Sequence, residues 1–279
     1  GLATHPNMVL IAEEVAENKK TLQEITNQIA DLICERAEKG KNFGVILIPE
    51  GLIEFIPEIG FLIQELNHLL SDSSIDNKEI FSRLTEFSRK SFSSLPEGIQ
   101  DQLLLNRDPH GNVQVSFIET EKLLIETVSQ ELKRRLKDGK YKGKFSALHH
   151  FLGYEGRAGF PSNFDCNYCY SLGYTAALLI THKATGYMCC ITGLTKNPID
   201  WQVLGIPLTS LMNLEWREGK KKPVIKKALV DLYSKSFSFY KQHRNEWRLG
   251  DHYLCPGPIQ FFVEKKLTDI TSHSLSIDV

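Results

Sequence analysis

Apolar positions along the chain fall into two alternating periods. Met8–Ala12 (MVLIA) is a short continuous apolar run, the pattern of a buried strand. Thr21 to Glu24 (TLQE) has the spacing of a capping box, with Thr21 as N-cap and Glu24 reaching back to it. Leu22, Ile25, Ile29, Leu32 and Ile33 then recur at helical spacing until Gly40. A second strand, Val45–Ile48 (VILI), runs straight into Pro49-Glu50-Gly51. Strand, amphipathic helix and strand make a βαβ unit, which requires a parallel pair because the helix crosses over between the strands.

From about residue 57 the pattern becomes helical. Ile80, Leu84 and Phe87 mark one stripe, and Leu124, Val128, Leu132 and Leu136 another. The second carries Lys133, Arg134, Arg135 and Lys137 near its end, with Gly139 beyond. Between the stripes Asp108–Asn112 (DPHGN) reads as a turn, followed by the alternating VQVSF. Lys144–Gly153 predicts a further strand, and Ser162 with Asp165 caps a helix reaching about Lys183. Gly186 stops that helix, Tyr187–Thr192 (YMCCIT) predicts another buried strand, and the polar tail after Val263 is expected to be loosely held.

Composition narrows the class. The chain has 279 residues, is 42% hydrophobic and 24% charged, and carries a net charge of −1, which is an ordinary globular balance. A general nucleic-acid binder would show a basic excess. Six cysteines are scattered rather than framed for disulfides, which fits a reducing cytoplasm. The most apolar run, FGVILIPEGLIEFIPEIGFLI, is interrupted by Pro49, Glu50, Glu54, Pro57 and Glu58, so it does not read as a clean membrane-spanning helix. No cleavable signal opens the chain, which starts at Gly1 without a methionine and reads as a piece of something longer.

Two places could carry chemistry. Glu50 follows four apolar strand residues after Pro49, so it sits at the carboxyl end of a parallel strand, the edge where open α/β sheets bind ligands. A carboxylate there can accept hydrogen bonds from hydroxyls; the plainer reading is a solvated strand terminus. Tyr154 and Arg157 follow the predicted strand 144–153 in a loop with Gly153, Gly156 and Gly159. Glycines admit close backbone approach, a guanidinium fork matches phosphate oxygens, and a phenol can donate to the same anion. The plainer reading is a glycine-rich turn with an exposed arginine.

Three further features favour their plainer readings. Cys166 and Cys169 form a C-x-x-C without two more ligands at zinc spacing, so a helix interior with two small core residues is expected. His149 and His150 are adjacent on a strand, which predicts one buried and one exposed ring rather than a ligand pair. Glu218–Lys227 (EGKKKPVIKK) reads as a solvated lysine-rich loop.

Taken in one register, HPNMVLIAEEV, GVILIPEGLIEFIPE, IETEKL, YKGKFSALHHFLGYEGRAGFPSNFDCNY and PGPIQF resemble the long-chain pyrophosphate–fructose 6-phosphate 1-phosphotransferases, from about His5 to Phe261. The resemblance implies an α/β, phosphofructokinase-like fold of parallel sheets flanked by helices, with a mostly helical insertion. It implies a sugar-phosphate domain begun by residues 1–56, interrupted by the insertion 57–140 and resumed over 141–157. Residues 158–210 would complete an absent N-terminal diphosphate-binding domain, and 211–279 would form a C-terminal segment.

By the same resemblance Glu50 contacts the sugar hydroxyls of fructose 6-phosphate, while Tyr154 and Arg157, with Glu155 and Gly156 between them, grip its 6-phosphate. The family's glycine-rich diphosphate loop, its proton-accepting aspartate motif and its methionine-glycine-arginine motif have no counterpart here. The chain therefore resembles a C-terminal half, with no catalytic or metal-binding residue of its own. Mg2+ would be held mainly by the missing N-terminal half, which becomes a required partner in a homo- or hetero-oligomer. This half alone is expected to be inactive. The alternatives are a non-catalytic regulatory subunit of the same fold that binds sugar phosphates, and an unrelated zinc or nucleic-acid module.

Overall fold

Strands β1 (Met8–Val9) and β2 (Ile46–Leu47) pair in parallel, Met8 opposite Ile46 and Val9 opposite Leu47, as the βαβ pattern predicts. The structure is a computed structural model that describes residues 1–70, 77–108, 111–153, 156, 161–217, 220–225, 228–255 and 271–278. Between the strands lie α1 (Ala12–Glu17) and α2 (Leu22–Glu38). The α2 capping box is complete: Glu24 N donates to Thr21 Oγ1 at 3.2 Å and Thr21 N to Glu24 Oε2 at 2.8 Å. Those bonds satisfy backbone donors that the first helical turn cannot pair internally.

Most of the core lies in the run that follows. Helices α3 (Pro57–Leu70), α4 (Asn77–Arg83), α5 (Glu86–Ser93), α6 (Glu97–Leu105) and α7 (Thr120–Lys137) follow, so residues 57–140 are mostly helical among those described. Ile59, Leu62, Ile63 and Leu66 of α3 join Ile25 and Ile29 of α2 and Leu124, Val128 and Leu132 of α7 in one hydrophobic cluster. Leu136, by contrast, is exposed at the α7 end. Across the α2–α7 seam Thr26 Oγ1 donates to Thr127 Oγ1 at 3.1 Å, and Arg135 bridges Asp31 at 2.6 Å and Glu131 at 2.7 Å. Hydrogen bonds from Arg134 first, and from Arg135, hold the Glu131 carboxyl down to about 2, against the cost of its burial.

The stripe Ile80, Leu84, Phe87 is not one helix. It divides between α4 and α5, because Thr85 caps a new helix by accepting from Ser88 N at 3.3 Å. Ile80 and Leu84 are buried, and Phe87 on the far side of the break is exposed. Asp108–Asn112 does turn: Asp108 N donates to Asn112 O at 2.9 Å, although residues 109–110 lie outside the described residues. The predicted strand 144–153 is an irregular segment whose burial alternates from Lys144 to Leu148, and among the described residues it forms no ladder. A strand needs a neighbour that pairs with its backbone groups, and among the described residues none pairs with 144–153.

Beyond residue 160 the architecture changes. Helix α8 (Asn163–Thr181) starts at the predicted capping box, with Asp165 N donating to Ser162 Oγ at 3.1 Å. Its inner side packs on the antiparallel hairpin β3 (Tyr187–Thr192) and β4 (Gln202–Pro207), where Phe164 meets the Trp201 ring at 5.5 Å. The YMCCIT strand therefore exists but is half-covered, since one helix shields one face of a two-stranded sheet; Ile191 is its buried residue among those described. The lysine-rich stretch is likewise not a loop: β5 (Met212–Arg217) and β6 (Lys220–Ile225) pair as a second antiparallel hairpin. Residues 218–219 and 226–227 lie outside the described residues.

Helix α9 (Lys235–Leu249) returns to the first layer and packs Phe237, Tyr240 and Trp247 near Val9 and Ile11. Of the tail expected to be loosely held, residues 264–270 lie outside the described residues, and the described part, 271–278, is tied down. Helix α10 (His273–Asp278) is held on α9 by Ser236, whose N donates to Asp278 Oδ1 at 2.8 Å and whose Oγ donates to Ser274 O at 2.9 Å. Among the described residues no helix is long and apolar enough to cross a membrane.

Candidate functional site

A groove of about 790 Å³ runs along the carboxyl-terminal continuation of β2. One wall is Gly44–Glu50, the floor includes Ile33 and Arg36 of α2 with Leu124 and Ile125 of α7, and the other wall is the segment Lys144–Gly153 with Gly156. Glu50, Gly153 and Gly156 thus line one groove, although about a hundred residues separate them in sequence. Glu50 is exposed and lies in a turn three residues beyond Leu47, the last residue of β2.

Local backbone chemistry shapes both rims. Gly51 has φ 82°, a left-handed conformation that costs an L side chain energy but not glycine. That turn lets Leu52 N donate to Pro49 O at 3.2 Å and starts a short 3-10 helix, Leu52–Phe55, so the chain leaves the strand abruptly after Glu50. At the opposite rim Gly153 has φ 48°, and a Cβ there would lie 2.8 Å from the Phe151 ring. Gly156 N donates to Leu152 O at 3.4 Å. Tyr154, Glu155 and Arg157 lie outside the described residues.

Several lining residues have no motif in the sequence. Asn7, Arg36 and Lys41 form one end of the groove, and Lys144, Ser116 and Glu121 add polar groups along it. The one sequence signal for Arg36 is its place in the last turn of α2, where a cation opposes the helix dipole. Asp251 sits beside this end, with Arg36 Nη2 at 2.8 Å and Lys41 Nζ at 2.7 Å. Those two bonds, Arg36 first, hold the Asp251 carboxyl below the usual carboxylate range.

The other candidate chemistry resolves differently. Cys166 and Cys169 are exposed, not core residues, because α8 turns Phe164 and Tyr168 toward Trp201 and leaves the cysteines on its outer side. His149 and His150 are both exposed, since the segment bearing them has no sheet on either face. Among the described residues no group of three or more His, Cys, Asp or Glu side chains could hold a metal ion. A second cavity, of about 640 Å³, lies among α2, α3, α5 and α7, lined by Gln23, Thr26, Glu58, Gln130 and Arg134; it contains none of the predicted site residues.

No protein-family model matches the chain. Individual proteins do. It is 50% identical over 279 residues to the pyrophosphate–fructose 6-phosphate 1-phosphotransferase subunit beta 1 of Arabidopsis thaliana, covering 100% of this chain and 49% of that protein. It is 47% identical to the pyrophosphate–fructose 6-phosphate 1-phosphotransferase of Entamoeba histolytica, covering 99% of the chain and 52% of the relative. The subunit alpha of Solanum tuberosum is 43% identical, across 93% of this chain and 43% of its own length. The chain spans about half the length of the curated relatives it matches. By sequence it belongs to the pyrophosphate–fructose 6-phosphate 1-phosphotransferase family.

Proposed function

We propose that this chain supplies the fructose 6-phosphate grip of a phosphotransferase that moves a phosphoryl group from pyrophosphate to the sugar 1-hydroxyl, giving fructose 1,6-bisphosphate and phosphate, reversibly. The observation that carries this reading is the meeting of Glu50 with Gly153 and Gly156 on one groove. Glu50 accepts hydrogen bonds from sugar hydroxyls. Tyr154 and Arg157, with Glu155 and Gly156 between them, hold the 6-phosphate, the guanidinium contributing charge-assisted bonds. Fixing the acceptor in this way removes orientational freedom before transfer, which is much of what catalysis of phosphoryl transfer requires.

The donor side lies on the remainder of the polypeptide. When bound, Mg2+ would neutralise charge on the transferring diphosphate. Magnesium sites use one or two carboxylates plus substrate phosphates. Glu50 and Glu121 are the carboxylates of the groove wall among the described residues, and no acidic cluster accompanies them. The ion is assigned mainly to the other half on the resemblance to the family, not on these two side chains. Outer residues of α8 such as Tyr170, Tyr174 and Ile180 are exposed, as suits a helix that packs against that half. The same surfaces suit assembly with further subunits, in the cytoplasm.

The test is turnover by the complete protein. Fructose 1,6-bisphosphate should form from fructose 6-phosphate, pyrophosphate and Mg2+, while residues 1–279 alone should form none. Turnover with ATP and not with pyrophosphate would contradict the assignment. Binding of fructose 6-phosphate without any turnover by the complete protein would favour a regulatory subunit instead.

A further inference from the structure

The two ends of the described chain meet around two buried side chains that no motif predicts. Asn7 is 3% exposed and Arg36 is 2% exposed. From Asn7, Nδ2 donates to Trp247 O at 3.0 Å and Gly250 O at 3.1 Å, while Oδ1 accepts from Val45 N at 3.0 Å and from the Tyr253 hydroxyl. From Arg36, Nε donates to Phe43 O at 2.9 Å, Nη1 to Gly250 O at 3.1 Å, and Nη2 to Asp251 Oδ1 at 2.8 Å. Each side chain thus holds the carboxyl end of α9 with one hand and the entry to β2 with the other. Lys41 Nζ adds a bond to Leu249 O at 3.2 Å.

Strand β2 needs such pins. Its ladder with β1 is two residue pairs long, and three residues after Leu47 the same chain presents Glu50. Asn7 and Arg36 also line the groove. We propose that Asn7 and Arg36 are positioning residues for fructose 6-phosphate: they lock the α9 terminus and Asp251 to the start of β2, and so set where Glu50 stands on the groove. The C-terminal segment then acts on acceptor binding without touching the acceptor. This inference rests on the reading of Glu50 as a sugar contact.

The test uses the complete protein and separates a positioning role from loss of fold. Arg36→Lys keeps the charge but loses the fork that joins Phe43 O to Asp251. It should raise KM for fructose 6-phosphate by about tenfold while KM for pyrophosphate stays within about twofold. Asp251→Asn, on the partly exposed side of the cluster, should shift the same KM in the same direction by about threefold, and serves if the arginine variant does not fold. Equal changes in both KM values, or no change in either variant while Glu50→Gln raises KM for fructose 6-phosphate, would overturn the inference. If Glu50→Gln itself leaves that KM unchanged, the sugar contact is wrong and the inference falls with it.

Discussion

Helices α2 and α8 begin the same way and end up in opposite circumstances. Each opens on a complete capping box, Thr21 with Glu24 and Ser162 with Asp165. Helix α2 buries Ile25, Ile29, Ala30 and Leu32 and packs against α7 and α9, whereas α8 has Thr175 as its buried residue among those described and leaves Tyr170 75% and Ile180 76% exposed. The contrast extends to their surroundings. Residues 10–141 share one hydrophobic cluster; 163–225 carry a helix and two hairpins, each hairpin only two strands wide. Two-stranded sheets are marginal in water without a covering layer. Local signals start a helix, but only a neighbour can bury it.

Core substitution should separate the two regions most widely. Leu62→Ala removes a fully buried side chain of α3 and should cost about 2–5 kcal/mol in urea unfolding. Ile180→Ala on the outer side of α8 should cost under about 0.5 kcal/mol in this chain. The comparison sharpens in the complete protein, where the same Ile180→Ala should become clearly destabilising if α8 is covered there. An equally silent substitution in both settings would break it.

The two caps give a smaller and more local test. Thr21→Ala should lower stability by about 1 kcal/mol in the main unfolding transition, because α2 is part of the common core. Ser162→Ala should leave that transition in place and instead speed hydrogen exchange along α8. Matching shifts of the main transition in both variants would mean that the two regions unfold as one unit.

The smallest effect is expected at acid pH. Asp251 is held below the usual carboxylate range by Arg36 and Lys41, so its contribution is present above the unfolded carboxylate value. It is lost as pH falls through the lowered folded value. Because the Asp251 side chain is 34% exposed, solvent screening keeps the effect small. Asp251→Asn should flatten the acid limb of the stability profile between the ordinary carboxylate range and that lower value. An unchanged limb would remove the ion pair from the account.

Much of this architecture was legible because its causes are local. Capping boxes, the βαβ pattern and the abrupt Pro49-Glu50-Gly51 exit need only neighbouring residues, and all appear in the structure. The break at Thr85 was hidden because Leu84 and Phe87 keep helical spacing across it. The exposure of Cys166 and Cys169 depends on what α8 packs against, which its own sequence does not state. Least legible was the Asn7–Arg36 cluster, whose hydrogen bonds join residues more than 200 positions apart. For the candidate site, strand-end reasoning singled out Glu50, which lines one groove with Gly153 and Gly156. The side chains named for the phosphate lie in the loop outside the described residues.

That loop carries the central claim, and Arg157→Ala in the complete protein tests it most directly. Loss of a charge-assisted phosphate contact should cost about 2–4 kcal/mol. KM for fructose 6-phosphate should therefore rise by about thirtyfold or more, with KM for pyrophosphate little changed. An unchanged KM for fructose 6-phosphate would contradict the proposed grip.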